Sequence, residues 1–180
     1  MEPILPFIMA GDPDLAALPA LLAVFRELGV GTVEVGLPHS DPVADGPVLQ
    51  AAAHRALEGG ASPRRVLETL AGLPGPDVVL FTYFNPLLQL GDDLVDLLAP
   101  TRVRSLLVVD LPPGEEPEWE GRLAQAGYPL VPLLTPTTRP TGPAASWPPA
   151  PIPAPAIPSP SASHTWWPAW ASPAAARAPT

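Results

Sequence analysis

Thr32-Val33-Glu34-Val35-Gly36-Leu37-Pro38-His39-Ser40-Asp41-Pro42-Val43-Ala44-Asp45-Gly46-Pro47-Val48-Leu49-Gln50 runs from a strand through a long loop into a helix. Alternation in the strand puts Val33, Val35 and Leu37 on one face and Thr32, Glu34 and Gly36 on the other. In a closed barrel the apolar set packs under the helices and Glu34 points into the interior. Desolvation there raises the carboxyl pKa and makes the group a proton donor and acceptor near neutral pH. The competing reading is a solvent-facing glutamate on an edge strand, and the pattern alone leaves both open. The connection through Asp45 is too long for a tight turn and too rich in Pro, Gly and Asp for a strand. It follows the C-terminal end of the strand, where barrel enzymes carry their active-site loops.

Working outward, Pro47 opens a helix that stops at Gly59-Gly60, and Ser62-Pro63 caps another with Val66, Leu67, Leu70 and Leu73 on one face. Toward the N-terminus, residues 3–9 form a short apolar strand. Asp12, as a possible N-cap with Pro13 after it, begins a helix carrying Leu15, Leu18, Leu22, Phe25 and Leu28. An interior Pro19 costs about 3 kcal/mol, so the helix can instead begin there. Toward the C-terminus, Val78 to Phe84 reads as a third strand and Asp92 to Ala99 as a short helix. Ser105 to Leu111 follows as a fourth strand, Glu116 to Ala126 as a helix, and Leu130 to Leu134 as a fifth strand.

Near-continuous apolar strands alternating with helices mean a parallel sheet covered by helices. Pattern does not separate an open doubly wound sheet from a closed barrel. No G-x-G-x-x-G fingerprint follows the first strand, so a dinucleotide site has no support.

The net charge of −9 argues against nucleic acid as a partner, because such binders need a basic face. The absence of cysteine excludes disulfides, thiolate nucleophiles and Cys-based zinc sites, and His54 and His164 show no metal spacing. The start lacks the basic residues of a signal peptide, and no apolar run approaches the ~18 residues of a membrane span. The expectation is a cytoplasmic protein with no membrane contact.

All nine basic residues are arginine, which suggests a gene rich in G and C. All 18 acidic residues precede Arg139, whereas residues 139–180 hold two arginines, 12 of the 30 prolines and four of the five tryptophans. Proline this dense prevents helix and strand ladders. The expected organisation is one α/β domain over 1–138 and a disordered Pro/Ala-rich tail over 139–180.

The segment Glu-Val-Gly-Leu-Pro-His-Ser-Asp-Pro-Val-Ala-Asp-Gly-Pro-Val-Leu-Gln (34–50) closely resembles the signature of tryptophan synthase α subunits. Further blocks fall in that family's order: Pro6-Phe7-Ile8-Met9-Ala10-Gly11-Asp12-Pro13, Thr82-Tyr83-Phe84-Asn85-Pro86, Val109-Asp110-Leu111-Pro112-Pro113-Gly114-Glu115-Glu116 and Leu133-Leu134-Thr135-Pro136-Thr137-Thr138. The resemblance implies a (β/α)8 TIM barrel, truncated here to about its first five β/α units. It implies retro-aldol cleavage of indole-3-glycerol phosphate to indole and glyceraldehyde 3-phosphate in tryptophan biosynthesis. By resemblance, Glu34 matches the carboxylate that moves protons, and Asp45 the one that hydrogen-bonds the indole N–H and stabilises positive charge on the ring. Phe7 and Tyr83 match residues shaping the indole pocket; the alternative for both is plain barrel core. Asp41 and Pro42 match the loop that contacts the β subunit, the alternative being a solvated turn.

The family works without a cofactor of its own, in an α2β2 heterotetramer whose β subunit uses pyridoxal phosphate. His39 departs from the family's aromatic residue at that position. After Thr138 the resemblance stops, although the family continues with about three more strand–helix units, including glycine-rich phosphate-binding segments. At 180 residues the chain is short of the ~250 typical of such barrels. An out-of-frame reading of a G+C-rich gene yields a composition like that of 139–180, and this is the expected origin of the tail, with a genuine proline-rich extension as its rival. The corresponding functional alternative is a noncatalytic remnant that at most docks the β subunit.

Overall fold

A computed structural model of the chain describes residues 4–133. In chain order the elements are β1 (Phe7–Met9), α1 (Leu18–Glu27), β2 (Thr32–Gly36), α2 (Pro47–Glu58), α3 (Pro63–Leu70), β3 (Asp77–Thr82), α4 (Phe84–Leu90), α5 (Asp93–Leu98), β4 (Val103–Val108) and α6 (Pro117–Gln125). The strands form one parallel sheet in the order β1-β2-β3-β4. This order decides between the two architectures that the sequence left open. A doubly wound sheet reverses its strand order and so covers both faces, whereas consecutive parallel strands with right-handed crossovers keep their helices on one side.

Packing agrees with a barrel segment. Val33, Val35, Val78, Leu80, Leu106 and Val108 share one buried core with Leu18 and Leu22 of α1, Val66, Leu67 and Leu70 of α3, Leu87 of α4, Leu98 of α5 and Leu123 of α6. The opposite face, in register across the sheet, carries Phe7, Glu34, Val79 and Ser105 in one row. Met9, Gly36, Phe81 and Leu107 form the next row. The helix α2 stands apart from the main core: its Ala52, Ala53 and Ala56 pack with Ala61 on Met9 and Phe7, at β1. Only small side chains allow this approach, since a Cβ at Gly11 would lie 2.7 Å from that of Ala61.

Several boundaries differ from the sequence reading. Asp12 is not the first helix cap. Asp14 accepts from the Ala17 N–H and caps a 3-10 turn at Leu15–Ala17, after which α1 starts at Leu18 with Pro19 in its first turn. Asp12 is instead bonded to Arg55 of α2 through both carboxylate oxygens, at 2.9 and 2.7 Å. The third strand ends at Thr82, and Phe84 begins a helix that the sequence did not indicate. The fourth strand lies earlier than expected, at Val103–Val108. Among the described residues of the expected fifth strand, Leu130 is bridged, parallel to Leu106. The Val131 N–H donates to the Leu106 carbonyl at 2.7 Å, and the Leu106 N–H to the Pro129 carbonyl at 3.1 Å. The tail expected to be disordered, and Leu134 to Thr138, lie outside the described residues.

Candidate active site

Glu34 is fixed by the ladder on both sides, opposite Phe7 of β1 and Val79 of β3, and its N–H donates to the Pro6 carbonyl at 2.8 Å. With Val33 and Val35 fully buried under the helices, the alternation leaves Glu34 on the inner face. Burial raises its carboxyl above the ordinary glutamate value, and it is the only cause of the shift. Because β2 lies between β1 and β3, the edge-strand alternative for this half-buried residue does not hold.

Beside it, the Phe7 ring meets Phe81 edge-on, with centroids 5.3 Å apart and planes at 84°. The same ring lies over Gly36, where an added Cβ would come within 2.6 Å of the Phe7 Cζ. A side chain at 36 would therefore require the Phe7 ring to shift.

The loop after β2 is held from three directions. The Leu37 N–H donates to the Phe81 carbonyl at 2.9 Å, prolonging the sheet by one bond. Asp45 N–H closes a turn on the Pro42 carbonyl at 3.0 Å, and the Gln50 side-chain amide returns to the Asp45 carbonyl at 2.9 Å. The Ala44 N–H donates to the Tyr83 hydroxyl at 2.9 Å, bridging residues 39 apart. Tyr83 is buried at the end of β3. Its phenol pKa is raised, chiefly by burial; the Ala44 N–H opposes the rise, and the Asp45 and Asp110 carboxylates add to it.

The expected residues thus separate into three groups. Glu34 and Phe7 share one row of the inner face, while Asp45 and Tyr83 meet at the strand ends beside it. Asp41 and Pro42 lie in a groove of about 380 Å³ with His39, Ser40, Val43, Gln50, His54 and Leu57. No hydrogen bond joins Glu34 to Asp45 among the described residues, where no cluster of metal-ligating side chains occurs either.

Three features escaped the sequence reading. Ser105, taken as the first residue of a strand, is a buried hydroxyl in the Glu34 row whose Oγ has no hydrogen-bond partner among the described residues. A lone polar residue in the apolar run Ser105-Leu106-Leu107-Val108 was the available signal. His39 packs against Tyr83, ring centroids 5.1 Å apart. Asp110 accepts the Phe84 N–H at 2.7 Å, a contact between strand ends that no local pattern announces.

A sequence profile of the tryptophan synthase alpha chain family matches residues 2–142. The chain belongs to this family. The tryptophan synthase alpha chain of Synechococcus sp. strain CC9902 is 45% identical over 139 residues, which are 75% of this chain and 52% of that one. That of Prochlorococcus marinus strain MIT 9313 is 48% identical over 140 residues, 75% of this chain and 50% of that one. The chain spans about half the length of the curated relatives it matches.

Among solved structures, the tryptophan synthase alpha subunit of Legionella pneumophila strain Paris superposes with a TM-score of 0.71 at 31% identity, covering 77% of this chain and 55% of that one. Tryptophan synthase from M. tuberculosis in its aminoacrylate-bound form gives 0.70 at 32% identity, covering 78% and 59%. In this tryptophan synthase alpha chain family member, the described residues form four strands of the (β/α)8 barrel and the start of the place expected for a fifth, where Leu130 bridges Leu106 in parallel.

Proposed function

We propose that the inner face around Glu34 serves retro-aldol cleavage of indole-3-glycerol phosphate to indole and glyceraldehyde 3-phosphate, the lyase step of tryptophan synthesis. The observation that carries the reading is the place of Glu34: in register between Phe7 and Val79 on the inner face, with a carboxyl that burial disposes to hold a proton. A neutral carboxyl can protonate indole C3, and the resulting carboxylate can take the proton of the glyceryl hydroxyl as the carbon–carbon bond breaks. Protonation at C3 makes the ring an electron sink. Asp45, beside the ring nitrogen, would stabilise the cation. Phe7 and Tyr83 would flank the ring, and no cofactor is needed for proton transfers of this kind.

The groove at Asp41 and Pro42 is proposed as the contact with a pyridoxal-phosphate-dependent β subunit, in a cytoplasmic α2β2 assembly. No helix among the described residues is long and apolar enough to cross a membrane. Residues 1–138 are read as barrel and 139–180 as an out-of-frame stretch. Reading the gene across codons 130–180 in all three frames tests this: a second frame that restores a strand and glycine-rich loops supports it, and no such frame counts against it.

A second reading is a chain that docks the β subunit without catalysis. It is favoured by the described residues supplying four of the barrel's strands, so that half of the wall around the substrate is not among them. Indole release from indole-3-glycerol phosphate separates the two. Release that Glu34→Gln lowers supports the lyase, whereas β-subunit binding with no release supports docking alone.

A further inference from the structure

We propose that Asp110 is a positioning residue for the loop that carries Asp45, acting through Tyr83. Between β3 and β4 the last ladder bond runs from the Val109 N–H to the Thr82 carbonyl, at 2.9 Å. The next chain crossing is made by a side chain: the Phe84 N–H donates to the Asp110 Oδ1 at 2.7 Å. Between β2 and β3 the last backbone bond is Leu37 N–H to the Phe81 carbonyl. Beyond it, the tie between the two strand extensions is the Ala44 N–H donating to the Tyr83 hydroxyl at 2.9 Å.

Side chains thus continue the sheet past its ladder, from the end of β4 through Tyr83-Phe84 to the loop after β2. Tyr83 precedes α4 in an extended conformation, φ −99° and ψ 164°, and the bond at the next residue holds the Tyr83–Phe84 peptide plane and with it the backbone from which the Tyr83 side chain projects. Releasing the Phe84 N–H frees Tyr83 to turn, and the Ala44 bond goes with it. That the loop serves catalysis rests on the reading above; the coupling itself does not.

Hydrogen exchange on the full 180-residue chain tests this without any substrate. Tyr83→Phe, which removes the hydroxyl, and Asp110→Ala should each speed exchange of the Ala44 amide by roughly three- to tenfold, the worth of one hydrogen bond. Asp110→Asn keeps an acceptor oxygen and should stay within about twofold of the parent. Faster exchange at Phe84 with Ala44 unchanged in Asp110→Ala reduces Asp110 to a local helix cap and overturns the proposal. Loss of Ala44 protection in Asp110→Asn overturns it as well, since the charge would then matter rather than the acceptor. Should Asp110→Ala loosen every amide, Asp110→Asn beside Tyr83→Phe still decides. Absence of lyase activity leaves the exchange result untouched, and a negative exchange result leaves the lyase reading standing.

Discussion

At Glu34 the carboxyl is half-buried on the inner face of the sheet, and burial raises its pKa. The folded state therefore favours the protonated form more than the unfolded chain does. The stability associated with that preference is fully present below the unfolded value and is lost as pH rises through the raised folded value. Glu34→Gln, neutral at every pH, should unfold at higher denaturant than the parent near pH 8, and the gap should shrink toward about pH 4. A gap that does not change with pH would contradict burial as the cause. Gly36 makes a steric claim at the same scale. Gly36→Ala puts a methyl within 2.6 Å of the Phe7 Cζ, and overpacking of this kind costs about 1–3 kcal/mol. Urea unfolding of the variant checks it, and an unchanged midpoint would mean that the aromatic wall yields freely.

At the scale of the element, legibility follows how local the determinants are. The start of α2 could be read from Pro47 and its end from Gly59, and α3 from Ser62-Pro63, because caps act within a turn of the residues they cap. Ser62 accepts from the Arg65 N–H, so Ser62→Ala should cost about 1 kcal/mol in thermal or chemical unfolding; no loss would show that the tertiary packing of Val66, Leu67 and Leu70 suffices. The helix α4 could not be read. Its aromatic start continues the apolar run of β3, Pro86 in its first turn resembles a breaker, and the acceptor for its first N–H comes from Asp110, 26 residues on. Asp12 was the expected first cap, but Arg55, 43 residues away, takes its carboxylate, and Asp14 caps instead. The site shows the same division: alternation set Glu34 on the face opposite Val33 and Val35 but left open whether that face is inward, and strand order decides it; the hold of Tyr83 on Ala44 and the burial of Ser105 depend on strand register.

At the scale of the molecule, strand order turns a pattern compatible with two architectures into a segment of barrel wall, with its helices over one core and Glu34 on the other face. The concave face of such a wall gathers side chains from successive strands at one height, which is how Phe7, Glu34, Val79 and Ser105 come into one row. The central claim is that Glu34 in this row moves the protons of the cleavage. Its most direct test is the rate of indole release from indole-3-glycerol phosphate by the 180-residue chain and by Glu34→Gln, measured side by side. The account predicts release by the parent that falls about 10²- to 10⁴-fold in the variant, the range of a lost general acid–base group. Equal rates from the two proteins, whether substantial or nil, would contradict it.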